Sequence, residues 1–320
     1  MKPSLFDSKI LNDLGVLDWG YTDCDEAQSY DTYEKWIDKG HHGPLGYLTG
    51  EKKEKRKKIS EYYPEFKSAL VFLFSYQKEK KSLDQFYQSS ESNGLKIGSY
   101  VFGFGGQDYH KVLRQKLESL ACHLPEGISY KLSLDTQPIL ERDLAYRAGL
   151  GWFGKNSMFI NKKQGSFFII GSLLLNKTLE LPIPSVDTDH CGQCTKCIDL
   201  CPTDAIEGRT IISQKCISTY TIEVFKEGTP PKGYPNSGGE IFGCDICQDV
   251  CPWNIKALSK IEEQVTLNSQ LQDFFLKTPI DEILNKLKEM TNRGFRRVFK
   301  DTPLERTGRL GLIKNIKLFK

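Results

Sequence analysis

Eight cysteines crowd the stretch from Cys191 to Cys251, and they constrain this chain more than any other feature. The run Cys191-x2-Cys194-x2-Cys197-x3-Cys201-Pro202 has bacterial ferredoxin spacing, in which three close thiolates hold one cubane and the fourth cysteine reaches the other cluster. A partner follows as Cys244-x2-Cys247-x3-Cys251-Pro252, and Cys216 supplies the thiolate that this second run lacks. The crossing rule then assigns Cys191, Cys194, Cys197 and Cys251 to one 4Fe-4S cluster and Cys201, Cys216, Cys244 and Cys247 to a second. Four-cysteine zinc centres also use C-x2-C spacing, but zinc does not explain an x3-Cys-Pro ending that occurs twice. The two remaining cysteines, Cys24 and Cys122, read as reduced buried thiols.

Such a cysteine density fits a reducing compartment, where thiols serve metals more often than disulfides. The chain has 320 residues, more than one core usually spans, so two or three modules are expected. No run approaches the ~18 apolar residues of a membrane helix. The opening MKPSLFDSKILNDLG lacks the apolar run of a signal peptide and a twin-arginine pair, so a cytoplasmic protein is expected.

Ahead of the cysteines the pattern is mixed. Segments 4–17 and 25–39 read as helical, and the run EKKEKRKK at 51–58 reads as a solvated face. Ser68 to Ser75 (SALVFLFS) is a short apolar run that suits a buried strand, and the polar segment 78–93 reads as a mobile loop. Val112, Leu113, Leu117 and Leu120 recur on a helical period within 109–124, while 128–134 alternates like a strand. Pro138 fits the first turn of a helix reaching Ala148, with Asp135 or Thr136 near its cap. Segments 157–160 and 166–175, joined by NKKQG, read as a hairpin. The sum is an α+β first domain. The two prolines of LPIPSVDTD place a boundary at 181–189, and the proline- and glycine-rich loop Gly228 to Gly239 interrupts the cysteine module. Past Trp253 the chain turns helical again, most clearly at 280–290.

Gly149-Leu150-Gly151-Trp152-Phe153-Gly154 matches G-x-G-x-x-G, but a helix precedes it and a strand follows. That is the reverse of the dinucleotide fingerprint, so the run reads as a tight backbone turn near a ligand or domain contact. The histidines show no metal-binding spacing; His110, at a helix start, receives no catalytic role. Residues 293–320 hold nine Lys or Arg against two acids, which suits either phosphate contacts or a solvated helical tail.

Taken together, LDTQPILERDLAYRAGLGWFGKN at 134–156, the runs ending in CPTDAI and CDICQDVCPWN, and FKDTPLERTGRLGLIKN at 299–315 resemble the epoxyqueuosine reductases. The resemblance extends from about Gly43 to Asn315. It implies a nitroreductase-like cobalamin-binding domain at 1–180, a ferredoxin-like two-cluster domain at 181–258 and a basic helical segment at 259–320. It also implies the activity: reduction of epoxyqueuosine to queuosine at the wobble position of tRNA, with two 4Fe-4S clusters feeding electrons to base-off cobalamin. Asp135 of the DTQP motif matches the family's proton donor, a role for which burial must raise a carboxyl's pKa toward neutrality. Arg56 falls where the family places a basic residue near the corrin. Asn156, Met158, Ser218 and Asp245, near matched motifs, are further candidate cobalamin contacts.

The partners implied are tRNA carrying epoxyqueuosine and an external electron donor of flavodoxin or ferredoxin type, for a monomer with no membrane association. Longer relatives continue past the 299–315 motif into HEAT-like repeats, and the segment SYVFGFGGQDYH is richer in glycine than the family's usual approach to DYH. Two rival readings are a cytosolic reductive dehalogenase-like cobalamin enzyme and a noncatalytic two-cluster electron carrier.

Overall fold

The computed structural model describes residues 5–186, 188–224, 228–230, 234 and 238–319, so half of the expected 228–239 loop lies outside the described residues. Four antiparallel strands form the central sheet, in the spatial order Val16–Thr22, Ser68–Ser75, Phe168–Leu175, Tyr130–Ser133. Ser68–Ser75 lies in the interior of this sheet, which explains its unbroken apolar run. Leu70, Phe72 and Phe74 enter one core with Leu113, Leu117 and Leu120 of the Tyr109–Ala121 helix. On the opposite face Ala69, Val71 and Leu73 pack with Leu144 and Ala145 of the Glu141–Arg147 helix. Each fully buried large side chain contributes about 1.5–3 kcal/mol, so this strand anchors both layers.

Four expectations of secondary structure are corrected. The first helix is Ser8–Asp13, and Leu17 already belongs to a strand. Pro138 precedes rather than opens its helix, which runs Glu141–Arg147 after Leu140. The polar 78–93 segment is largely the helix Gln77–Tyr87, because Leu83 enters a core and Lys80, 2% exposed, pairs with Asp84 and Asp249 at 2.6 Å each. Tertiary contacts, rather than an apolar stripe, hold this helix.

The 157–175 hairpin is the fourth. Phe159–Ile160 pairs with Trp152–Phe153, while Phe168–Leu175 joins the central sheet. Asn161 ends the short strand: its amide donates to the Leu150 carbonyl, and its side-chain oxygen accepts from the Lys163 and Gln164 amides, so the chain turns there. Gly151 passes so close to Ile160 that a Cβ would stand 2.0 Å from its carbonyl oxygen. The glycine run is thus a tight turn made for close backbone approach.

A third core joins segment 83–102 to Ile241, Phe242 and the C-terminal helices, including Leu287, Phe295, Phe299, Leu312 and Ile316. Asn315, fully buried, donates to the carbonyls of Thr221 and Ile241. Residues 293–319 are therefore docked rather than a solvated tail; Arg293, Arg296, Arg297 and Arg306 are exposed, while Lys314 turns inward to the Tyr220 and Val224 carbonyls. Neither extra cysteine is deeply buried: Cys24 is half-buried and Cys122 exposed. No helix among the described residues is long and apolar enough to cross a membrane.

Asp143 and Arg147 form a buried pair at 2.6 Å, with Asp143 also accepting the Ser29 amide and Arg147 reaching the Cys24 carbonyl. Asp143→Ala leaves a guanidinium uncompensated in the interior, and the expected loss of stability is about 3–5 kcal/mol. Urea unfolding measures it; a loss of about 1 kcal/mol or less, as for a surface pair, contradicts this account.

Candidate functional site

Two short helices, Lys196–Asp199 and Ile246–Asp249, occupy equivalent places in the two cysteine runs and pack against each other. This brings the thiols into two neighbourhoods. Cys197 is surrounded by Cys251, Cys191 and Cys194. Cys247 lies by Cys216 and Cys201, and Cys244 by Cys247 and Cys216. Cys191, Cys194, Cys197 and Cys251 line a cavity of about 280 Å³. That volume exceeds the needs of one ion, and among the described residues no group of three or more His, Cys, Asp or Glu is arranged to hold a single metal ion. Burial pushes the Cys197 thiol up to about 11 and raises Cys216, Cys251 and Cys247 as well.

The 244–254 segment is tied to the first part of the chain by polar contacts at several points. Asp245 accepts the Ser99 amide at 2.8 Å, Asn156 donates to the Cys247 carbonyl at 3.0 Å, and Lys80 holds Asp249. Asn254 accepts the Ser166 amide at 2.6 Å, beside Gln248, which accepts the Ser166 hydroxyl. Gly165 makes that approach possible, since a Cβ there would meet Asn254 Oδ1 at 2.1 Å.

Asp135 stands at the apex of a turn after the last-positioned sheet strand, with φ +59, a left-handed conformation that Asp tolerates better than most residues. Its amide donates to Glu141, and Gln137 accepts the Leu134 amide, so the turn is clamped from both sides. Asp135 Oδ2 accepts from the Tyr109 hydroxyl at 2.7 Å and lies 3.2 Å from His110 Nε2, while His110 Nδ1 lies 2.7 Å from Asp108. Tyr100 stacks edge-on to Tyr109 at 6.1 Å and packs on Phe242 at 6.3 Å. Its neighbour Ser99 is the residue that binds Asp245, so the Asp135 group and the second cysteine run share one wall.

The charge states differ from expectation. Burial opposes ionisation of Asp135, yet hydrogen bonds from His110 and Tyr109 hold its carboxyl below the usual range. Burial likewise opposes a charged His110, but hydrogen bonds to Asp108 and Asp135 hold it protonated, up to about 9. Burial and the neighbouring Asp135 charge push Glu141 up to about 8. At neutral pH the protons therefore reside on His110 and Glu141 beside an ionised Asp135 in the free protein. Because the folded His110 lies above its ordinary 6.5, its stabilising contribution is full below that pH and is lost as pH rises through about 9. Urea midpoints of the wild type should fall over that range relative to His110→Gln; parallel curves would contradict the assignment.

The other candidates separate. Arg56 lines a small cavity with Pro138 and Leu140, on the continuation of the Asp135 turn, and its guanidinium donates to the Lys52 carbonyl. The Asn156 amide is occupied at both ends, by the Cys247 carbonyl and the Met158 amide. Ser218 hydrogen-bonds the Cys216 thiol, and Asp245 holds Ser99. Met158, half-buried, returns its carbonyl to Gly154. Sequence reading gave His110 no catalytic role and passed over Glu141, Tyr100, and the Arg306–Glu223 ion pair at 3.0 Å, whose charges also bear on Tyr100. The Asp-Tyr-His triplet at 108–110 and the place of Glu141 in the same motif as Asp135 carried a signal; Tyr100, Glu223 and Arg306 come together through tertiary folding.

Residues 56–136 match the family described as epoxyqueuosine reductase QueG, and residues 190–254 match a 4Fe-4S double cluster binding domain. The epoxyqueuosine reductase of Cyclobacterium marinum is 37% identical over 90% of this chain and 86% of its own length. The chain belongs to the epoxyqueuosine reductase family. Its fold agrees with that of solved epoxyqueuosine reductases. The Streptococcus thermophilus structure superposes with a TM-score of 0.79 at 27% identity, over 97% of this chain and 78% of the other. A second, solved with an epoxyqueuosine-modified tRNA-Tyr stem loop, gives 0.75 at 26% identity, over 97% and 78%. As a member of this family of oxidoreductases, the chain carries a 4Fe-4S binding domain at 190–254.

Proposed function

We propose that this epoxyqueuosine reductase converts epoxyqueuosine in the wobble position of tRNA to queuosine, in the cytoplasm and as a monomer. The observation that carries the reading is the shared wall: a proton-bearing group around Asp135 meets, through Tyr100 and Ser99, the loop bearing Cys244 and Cys247. Converting an epoxide to an alkene consumes two electrons and two protons and releases water, so the enzyme needs a redox unit and a proton unit side by side. Residues 181–258 supply the first, through one 4Fe-4S cluster on Cys191, Cys194, Cys197 and Cys251 and a second on Cys201, Cys216, Cys244 and Cys247. Residues 1–180 supply the second, and 259–320 brace both.

Both thiol sets fit clusters by donor chemistry, and the set of Cys191, Cys194, Cys197 and Cys251 also by the cavity it lines. Cobalamin, the base-off cofactor implied by the family resemblance, would supply a strong nucleophilic reductant when bound. The fit of the candidate corrin contacts is partial: Asn156, Ser218 and Asp245 are already engaged within the chain, whereas Asp135 is about half exposed and open to a large ligand. Met158 and the guanidinium N–H groups of Arg56 beyond the one given to the Lys52 carbonyl are left as contacts for such a ligand.

Protein groups then manage the protons. Asp135 Oδ2 delivers one to the alkoxide left by ring opening, drawing it from His110 Nε2 at 3.2 Å, while Asp108 holds the imidazole by its other nitrogen. Glu141, protonated near neutrality beside the Asp135 backbone, is the store for the second, which accompanies loss of water. The modified base has to leave its stack to reach Asp135, as in other base-modifying enzymes. An external donor of flavodoxin or ferredoxin type reloads the clusters. Anaerobic reconstitution with iron and sulfide, then cobalamin addition followed by EPR of Co(II), tests the cofactor set. A base-off signal beside two reducible clusters is expected; clusters without cobalamin binding would favour an electron carrier.

A further inference from the structure

Trp152 poses a problem that the reaction does not explain. It is 2% exposed, and its indole Nε1 is buried with no hydrogen-bond partner. An unsatisfied buried donor costs about 1–3 kcal/mol, so a group of this kind usually meets a partner that the polypeptide itself does not supply. The Trp152 ring stands edge-on to the His190 ring at 4.8 Å by centroid, and thiols of one set pack beside it. Trp152 packs in one cluster with Ile160, Cys251, Cys191 and Trp253. Trp253, 5.1 Å away by ring centroid, donates its own N–H to the His190 carbonyl at 3.3 Å. Of the two adjacent indoles, one is satisfied by backbone and the other is not. Gly151 fixes the second in place, because the chain there lies against Ile160 too closely for any side chain.

We propose that Trp152 Nε1 donates a hydrogen bond to a sulfur of the cluster held by Cys191, Cys194, Cys197 and Cys251, and thereby raises the reduction potential of that cluster. The inference rests on the ligand assignment given under the proposed function. Reduction adds negative charge to the sulfurs, so an N–H donor stabilises the reduced state more than the oxidised one. The second thiol set lies instead beside Asp245, a side chain that when ionised disfavours added negative charge. The two clusters are thus held at different potentials by their protein surroundings.

The test is an EPR-monitored redox titration of the reconstituted full chain, wild type against Trp152→Phe. One midpoint should move negative by about a tenfold change in the reduction equilibrium, about 59 mV for a one-electron couple, while the other stays in place. Benzothienylalanine at position 152 keeps the shape and lacks the N–H, so it should reproduce the shift even where the phenylalanine variant folds poorly. Wild-type potentials with benzothienylalanine would overturn the proposal, whether or not Trp152→Phe shifts, because a packing role or an N–H aimed at the His190 ring predicts that result. Iron and sulfide analysis separates the two layers. A wild-type chain with one cluster refutes the ligand assignment and this proposal together, and two clusters at unchanged potentials refute this proposal alone.

Discussion

Serine at Cys251 and serine at Cys191 should remove the same half of the bound iron and leave the same EPR spectrum, and serine at Cys201 should remove the other half. Although Cys251 belongs to the second run in sequence, its thiol lies with Cys191, Cys194 and Cys197 around one cavity. Cys201, from the first run, lies with Cys216, Cys244 and Cys247. Turnover should be abolished in all three, since electrons require both centres in sequence. If the Cys251 and Cys201 variants instead lost the same cluster, the crossed arrangement would be wrong.

Asp135→Asn should lower the rate of conversion by about 10²–10⁴-fold, the usual contribution of a positioned proton-transfer group, with both clusters retained. The amide keeps the size of the side chain and the hydrogen bond from Tyr109 but cannot pass on a proton from His110. Near-normal turnover would remove Asp135 from the mechanism. The expectation that burial alone turns Asp135 into an acid does not survive the structure, because His110 and Tyr109 stabilise its anion. Proton donation is better assigned to the Asp135–His110 pair acting together, whose titration belongs to the group rather than to either residue.

Legibility in the sequence followed the range of the interactions. The strand Ser68–Ser75 and the helix from Tyr109 were readable because burial imposes a local period. Cysteine spacing was readable because cluster geometry is itself local. The helix Gln77–Tyr87 was not, because its stability comes from a lysine whose partner Asp249 is far away in sequence. The false hairpin arose for the same reason: Phe168–Leu175 looked complementary to its neighbour, but Ser68–Ser75 buried it more completely. At the site, Asp135 was named from a motif that also holds Glu141, whereas Tyr100 and Arg306 gather around it only when distant segments fold together.

The most direct test is mass spectrometry of nucleosides from epoxyqueuosine-containing tRNA incubated anaerobically with the reconstituted enzyme, cobalamin and a low-potential reductant. Loss of one oxygen from the modified nucleoside, giving queuosine, is the predicted result. Unchanged epoxyqueuosine, with both clusters and cobalamin bound and reduced, would contradict the account.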